Sequence, residues 1–288
     1  MRVVTRFAPS PTGRLHLGHA FSALLAHDFA RSHDGAFLLR IEDIDPGRSR
    51  PEHVDAIIED LAWLGIDWDG EIVFQSERLD LYREALDRLK AARLVYPCFC
   101  TRSAIAAEIA ASAAAPHGPD GPLYPGTCRA LPPEERRRRA AMEPHAWRLD
   151  VARASQQSGA LYWRDGDTEV QAEPEAFGDV VLARKDAPVS YHLAVTVDDD
   201  AQGVTDVVRG RDLYAATDVH RLLQALLGLP TPAYHHHPLL LDAGGERLAK
   251  RRGAPALGDL RAAGADPKAL VADLLEGRLP SGYSAVHA

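Results

Sequence analysis

Between residues 2 and 42 the chain reads as strand, loop, helix and strand. "RVVTRF" is a short apolar run, "APSPTGRLHLGH" a Pro/Gly loop, "FSALLAHDFA" carries a helical period, and "AFLLRIE" is a second buried run. That order is a βαβ start, which commits the chain to an α/β fold with a parallel sheet. "PEHVDAIIEDLAWLG" follows as a helix with Pro51 in its first turn and Gly65 at its end, and Leu79, Tyr82, Leu86 and Leu89 line one face of the next. After Tyr96 the texture changes. Residues 96–180 hold the cysteines, an Ala-rich helix, the stretch "APHGPDGPLYPG", the run "RRRR" and a hairpin around Asp165-Gly166, and they read as an insertion between residues 1–95 and 181–242. Sheet-like runs resume with "DVVLARKD" and "YHLAVTV", then "GVTDVVRG", the helix "TDVHRLLQALLG" and the strand "HPLLL"; residues 243–288 hold a basic loop and a brief helical tail.

Composition narrows the function classes. With 288 residues and 46% hydrophobic content the chain can bury a sizeable core. No run of about 18 apolar residues exists and "MRVVTRF" lacks an apolar leader core, so a cytoplasmic protein is expected, and a monomer. Three cysteines, Cys98, Cys100 and Cys128, are too few for a disulfide framework and point to a metal or to nothing. The net charge of −8 means that a nucleic-acid partner would have to meet local basic patches. Of the 33 basic residues only Lys90, Lys185, Lys250 and Lys268 are lysine.

The chemistry concentrates at turns. A strand-to-helix turn at the carboxyl edge of a parallel sheet favours phosphate, because its amides and the helix dipole point there. His16 and His19 flank Gly18 at such a turn, where imidazoles can donate to phosphate oxygens and glycine allows close approach; taken alone, they read first as capping or partly buried structural histidines. The loop "GGERLAKRRG" offers an ammonium, Lys250, that could close over a pyrophosphate leaving group; by itself it is a solvated basic loop. Asp43 and Asp45 could bind Mg²⁺ but are suited to capping a turn and pairing with Arg48. "YHHHP" at 234–238 is no metal site, since successive strand residues face opposite sides. The "RRRR" run is a solvated helix face, and the best basic patch for RNA phosphates that the chain offers.

Taken together, "RFAPSPTGRLHLGH", "RIEDIDPGR", "YHLAVTVDD", "GVTDVVRGRDL" and "RLAKR" resemble, in order and spacing, the glutamyl-tRNA synthetases, class I enzymes with HIGH and KMSKS signatures. Only a short segment follows the second signature, and with "YPCFC" and "YPGTC" the chain is most similar to the short glutamyl-Q tRNA(Asp) synthetase family. The resemblance implies a Rossmann-type nucleotide-binding sheet with an inserted acceptor-binding-like zinc subdomain and no anticodon-binding domain. It implies that glutamate is activated by ATP with Mg²⁺, without tRNA, and passed to the queuosine base of tRNA(Asp). It carries catalysis to His16, His19 and Lys250, ATP binding to these and Gly18, and glutamate binding to Arg6, Ala8, Ser10, Glu42, Tyr191 and Arg209. One structural zinc falls to Cys98, Cys100, Cys128 and Tyr124, with a water, His117 or Asp120 as other fourth ligands. Without the resemblance, Arg6 and Glu42 read as an ion pair between strands and Tyr191 as a core aromatic. Arg247, Ala249 and Arg251 depart from the usual second signature. Two further functions fit the same residues: a short enzyme charging a tRNA 3′ end, and a catalytically silent RNA-binding relative.

Overall fold

The computed structural model describes residues 2–111, 117–119, 121–242, 248, 255–279 and 283–286. The opening runs form β1 (Val4–Phe7), α1 (Leu17–Ser32) and β2 (Ala36–Ile41); α2 (Pro51–Trp63) then leads to β3 (Val73–Phe74). β2 pairs in parallel with β1 on one side, Arg6 opposite Leu38, and with β3 on the other. α1 lies close on this sheet because its inward positions are small: Ala20, Ala23, Ala26 and Ala30 are buried between Leu17, Phe21 and Leu24. The turn from α1 to β2 is equally tight, since a Cβ on Gly35 would stand 2.6 Å from the Val3 carbonyl oxygen.

After α3 (Leu79–Ala91) come β4 (Val95–Cys98), α4 (Arg102–Ala111) and a small pair, β5 (His117–Gly118) with β6 (Gly121–Pro122). α5 (Pro133–Met142), β7 (Ala146–Leu149) and α6 (Val151–Ser158) follow, then the hairpin β8 (Tyr162–Asp165) and β9 (Thr168–Gln171), and β10 (Val181–Ala183). β7 is the centre of an antiparallel sheet with β4 and β10, over a small cluster of Tyr96, Cys98, Phe99 and Cys128. The hairpin at Asp165-Gly166 forms as the turn residues predict, but it belongs elsewhere in space. Its strand β8 runs parallel to β12 (Ala233–His237), with Asp165 opposite Tyr234.

β11 (Asp206–Gly210) pairs in parallel with β12. It stands beside β1, where Thr205 donates its N–H to the Val4 carbonyl at 3.0 Å and accepts from Val4 N–H at 2.8 Å through its hydroxyl. The strand order is therefore β3, β2, β1, β11, β12, and it reverses between β1 and β11. Ligands of such sheets bind in the crevice outside the carboxyl ends at that reversal.

One expectation is corrected. "YHLAVTV" is not a strand; it opens α7 (Tyr191–Ala201). The β-branched Val195, Thr196 and Val197 favour strand, but residues 193–199 are all buried, and a helix surrounded by protein shows no one-sided period. α8 (Ala216–Leu227) follows β11 and ends at Gly228 with φ +64°, a left-handed cap that suits glycine. In the tail, β13 (Leu239–Leu241) pairs antiparallel with β14 (Ser284–Val286), a strand not expected from the sequence, around α9 (Leu257–Ala262) and α10 (Pro267–Leu275). Leu257 donates its N–H to the Leu15 carbonyl at 2.9 Å, so the tail packs directly against the loop before α1. Among the described residues no helix is long and apolar enough to cross a membrane.

Candidate functional site

A cavity of about 600 Å³ opens where the sheet order reverses, and the residues singled out from four separate stretches of sequence meet on its walls. β1 and the loop after it supply Arg6, Ala8 and Ser10; the start of α1 supplies His16, Gly18 and His19; the end of β2 supplies Glu42; and α7 and β11 supply Tyr191 and Arg209. The loop is held in place by backbone bonds, Glu42 N–H to the Pro9 carbonyl and Arg50 N–H to the Pro11 carbonyl, each 3.1 Å.

His16 and His19 cap α1 reciprocally. The Nδ1 of His16 accepts from Gly18 N–H at 3.1 Å, and the Nδ1 of His19 accepts from His16 N–H at 3.1 Å. Each bond occupies the Nδ1 lone pair, so in the neutral ring the proton sits on Nε2. The cap and a phosphate-binding role are thus compatible, because they use opposite nitrogens. The two rings stand 3.8 Å apart. Gly18 also has a local reason: a Cβ there would meet the His16 ring at 3.0 Å.

Arg6 and Glu42 are not paired with each other as a strand-to-strand ion pair would require. Arg6 gives Nε to Asp199 at 3.1 Å, and among the described residues its η nitrogens donate to no protein group. The same Asp199 oxygen accepts from Arg40 at 2.9 Å. Burial opposes ionisation of Asp199, but the two guanidiniums hold its carboxyl below the ordinary value. Behind it Asp198 accepts from Gln75, Arg78 and Tyr82 at 2.7–2.8 Å. Among the described residues Glu42 makes one ion-pair contact, to the Arg40 guanidinium at 3.7 Å, and accepts no hydrogen bond through its side chain. Burial, only partly offset by Arg40 and Arg6, pushes its carboxyl up to about 7. A buried carboxylate lacking donors and facing a cavity is an acceptor awaiting a cation.

Arg209 is gripped on three sides. Its Nε donates to His236 Nε2 at 3.1 Å, and its Nη2 to the Leu213 carbonyl at 3.1 Å and the Thr217 hydroxyl at 2.7 Å. Nη1 has only long contacts, 3.5 Å to the Tyr191 hydroxyl and 3.4 Å to His220. The orientation is therefore fixed while one nitrogen, beside a phenol, stays loosely held. Burial raises the Tyr191 phenol above its ordinary value, so it remains a donor at neutral pH. Burial first and the Arg209 charge second push His236 and His192 down to about 4, and His220 well below its usual range, which keeps all three neutral.

Away from the cleft, Cys98, Cys100 and Cys128 present sulfurs within 4.8 Å of one another, the one such cluster of metal-ligating side chains among the described residues. The Tyr124 hydroxyl stands 3.5 Å from the sulfurs of Cys98 and Cys100 and accepts from Cys128 N–H at 2.9 Å. Burial pushes the Tyr124 phenol well above its ordinary value. Three thiolates about 2.3 Å from a tetrahedral zinc would stand roughly 3.8 Å apart, so this donor set fits one such ion. His117 is exposed in β5, and Asp120 lies outside the described residues. Asp43 is bonded to the backbone and hydroxyl of Ser76, and Asp45 to Arg48 and Arg184, the turn-capping and pairing arrangement rather than a shared cation site. His235 pairs with Asp206, His236 with Asp165, and His237 with Ser22, so each histidine has a different partner, and among the described residues they form no metal-ligating cluster. In the arginine run Arg138 pairs with Glu135 and Arg139 with Glu143, the pattern of a solvated helix face.

Lys250, Arg247, Ala249 and Arg251 lie outside the described residues. Leu248 of the same segment is buried against the cavity and donates its N–H to the Leu240 carbonyl at 3.1 Å. Sequence reasoning missed Arg40, Asp198, Asp199, Thr217, His220 and His236, which hold the cleft residues in place. Nothing in "VDDD" itself marks which acids turn inward; in α7 the first two, Asp198 and Asp199, are buried.

Residues 2–280 match the model of the family described as tRNA synthetases class I (E and Q), catalytic domain. A glutamyl-Q tRNA(Asp) synthetase of Rhodobacter capsulatus is 53% identical over 275 residues, 92% of this chain and 97% of that protein. A protein of the same name from Deinococcus radiodurans is 48% identical over 288 residues, 99% of this chain and 92% of its own. Among solved structures, a glutamate-tRNA synthetase from Elizabethkingia anophelis superposes with a TM-score of 0.73 at 30% identity, over 89% of this chain. The chain spans 55% of that longer synthetase.

Proposed function

Because this chain belongs to the class I tRNA synthetases (E and Q), through their catalytic domain, we propose that it activates L-glutamate with ATP and transfers it to the queuosine base in the anticodon of tRNA(Asp). The observation that carries the reading is the convergence on one cleft of the η-nitrogen edge of Arg6 and the Glu42 carboxylate, neither of which has a hydrogen-bond partner among the described residues, with the loosely held Nη1 of Arg209 and the histidine pair that caps α1. A dicarboxylic amino acid complements that set. Arg6 and Arg209 take its carboxylates, Tyr191 adds a hydroxyl donor, and Glu42 accepts from the ammonium. Ala8 and Ser10 shape the wall on the β1 side. The Nε2 donors of His16 and His19 hold the phosphates of ATP·Mg²⁺, and Gly18 lets them approach the start of α1.

With both substrates held, the α-carboxylate oxygen attacks the α-phosphorus in line, and the bond to the bridging oxygen breaks as pyrophosphate leaves with the electron pair. The negative charge that grows on it meets His16, His19 and, by its place in the second signature, Lys250. A hydroxyl of the queuosine cyclopentene ring then attacks the acyl carbon of glutamyl-AMP and releases AMP. No side-chain nucleophile is needed; positioning and charge stabilisation do the work. Residues 96–180, apart from the β8–β9 hairpin that joins the parallel sheet through β12, act as the inserted subdomain. In it Cys98, Cys100, Cys128 and Tyr124 would hold one zinc, a cross-link that staples the end of β4 to the loop before α5.

The queuosine acceptor is supported by the name shared by the close relatives. The structural neighbours named for glutamate charging support a second reading, transfer to a tRNA 3′ end. ATP–pyrophosphate exchange tests activation: it should depend on glutamate and proceed without tRNA. Transfer of labelled glutamate separates the acceptors. Queuosine-containing tRNA(Asp) should accept even after removal of its terminal adenosine, and tRNA(Asp) lacking queuosine should not. Comparable transfer to the 3′ end of tRNA(Glu) would overturn the queuosine assignment.

A further inference from the structure

We propose that Asp165 is a positioning residue for glutamate binding, acting through His236 on Arg209. The proposal rests on the reading of Arg209 as a glutamate-carboxylate ligand. One carboxylate oxygen of Asp165 accepts both the backbone N–H of His236 at 3.0 Å and its ring Nδ1–H at 2.9 Å. Fixing the proton on Nδ1 leaves the Nε2 lone pair facing outward, and that lone pair accepts Arg209 Nε–H at 3.1 Å. The His236 side chain is fully buried, packed against Tyr214 and Tyr234 at 5.1 and 5.9 Å between ring centroids, and its two nitrogens are engaged by Asp165 and Arg209. An imidazole with its proton on the other nitrogen would point N–H at N–H, and the guanidinium would lose its hold on that side. Rotation of Arg209 about the remaining contacts would move Nη1, its loosely held nitrogen, away from the substrate carboxylate.

The arrangement has an architectural meaning. Asp165 sits at the tip of the β8–β9 hairpin, which comes from between the two halves of the parallel sheet and joins it only through β12. The carboxylate that sets the tautomer is thus delivered by a different segment from the strands that carry His236 and Arg209. Correct docking of the hairpin is thereby read out as the aim of one guanidinium.

The test combines kinetics with a tautomer measurement. ATP–pyrophosphate exchange is followed against glutamate and against ATP for wild type, Asp165→Ala, Asp165→Asn and Arg221→Ala. Arg221 ties the same hairpin to α8 through the Tyr162 carbonyl without touching His236, and serves as the control for docking alone. In parallel, ¹⁵N NMR of the imidazoles, with His236 assigned by its loss in His236→Gln, reports which nitrogen carries the proton. Asp165→Ala should raise the KM for glutamate about 10-fold or more, with kcat and the KM for ATP within about 3-fold. Asp165→Asn, whose amide oxygen can still accept both N–H groups, should stay within about 3-fold of wild type, and Arg221→Ala should lower Tm with little change in KM. Wild-type His236 should be the Nδ1–H tautomer, a result that needs no variant to fold. An unchanged KM for glutamate in Asp165→Ala, an equal rise in Arg221→Ala, or a wild-type proton on Nε2 would each overturn the proposal. Absence of any glutamate-dependent exchange in wild type would overturn the glutamate reading and this role with it, and the tautomer signal would distinguish that outcome from a failed relay.

Discussion

Replacing Glu42 by glutamine should make the protein more stable and a poorer binder of glutamate. Glutamine copies the protonated carboxyl in shape and removes the charge. In the folded chain burial lifts the Glu42 carboxyl from its ordinary 4.5 to about 7. Between those values the unfolded chain has released its proton while the folded chain keeps it, so stability falls as pH rises through that window, and the full penalty stands above pH 7. A displacement of that size corresponds to on the order of 3 kcal/mol. Glu42→Gln should therefore raise Tm by several degrees at pH 8 and leave it nearly unchanged at pH 4. The same charge is what the substrate ammonium needs. Truncating one side of a buried charge pair costs about 2–5 kcal/mol, so the KM for glutamate in pyrophosphate exchange should rise by roughly 30-fold or more, with the KM for ATP little altered. In wild type the KM for glutamate should itself climb about 10-fold from pH 8 to pH 6 as Glu42 takes up its proton, and in Glu42→Gln that dependence should vanish. Calorimetric Tm and exchange kinetics at pH 4, 6 and 8, as each assay permits, check both halves. A variant less stable than wild type at pH 8, or a wild-type KM flat from pH 6 to 8, would refute the reasoning.

Lys250→Ala should lower the exchange rate by about 10²-fold or more without changing the unfolding profile, and wild-type exchange in that variant would remove Lys250 from the mechanism. Metal analysis should find about one zinc per chain, lost in Cys98→Ser together with protection of the 96–130 region in hydrogen exchange; a metal-free, fully folded and active preparation would refute the site. Asp199→Asn should weaken glutamate binding and lower Tm together, because Arg6 and Arg40 both lose their charged acceptor; a change confined to the kinetics would mean that Asp199 is not the shared anchor described above.

How far the sequence foretold this site depends on the range of the interactions involved. The opening βαβ unit was legible because its signals are local: an apolar run, a turn and a helical period within about forty residues. The wall residues Arg6, Glu42, Tyr191 and Arg209 were legible through motif order, and the fold brings them to one cavity. α7 was misread because burial on every side erases periodicity, and with it went the inward direction of Asp198 and Asp199. Their partners Arg6, Arg40, Gln75, Arg78 and Tyr82 stand more than a hundred residues earlier, so no local pattern announces the pairing. His236 was dismissed with its neighbours on a correct argument about strand alternation. What alternation cannot say is that its face of the strand meets a guanidinium and a carboxylate from two other segments.

The interlocked start of α1 bears on how such a sequence can drift. His16 and His19 each close the other's end of the helix cap, and the His16 ring occupies the space a side chain at 18 would need. None of the three positions can change alone without disturbing a neighbour, so single substitutions should be strongly non-additive, and a Gly18→Ala change should be tolerated better when residue 16 is shortened as well. Lineages that lose the phosphate-binding use of this turn would then be expected to lose all three letters together, since the helix can be capped more cheaply by serine or aspartate once the imidazoles serve no second purpose.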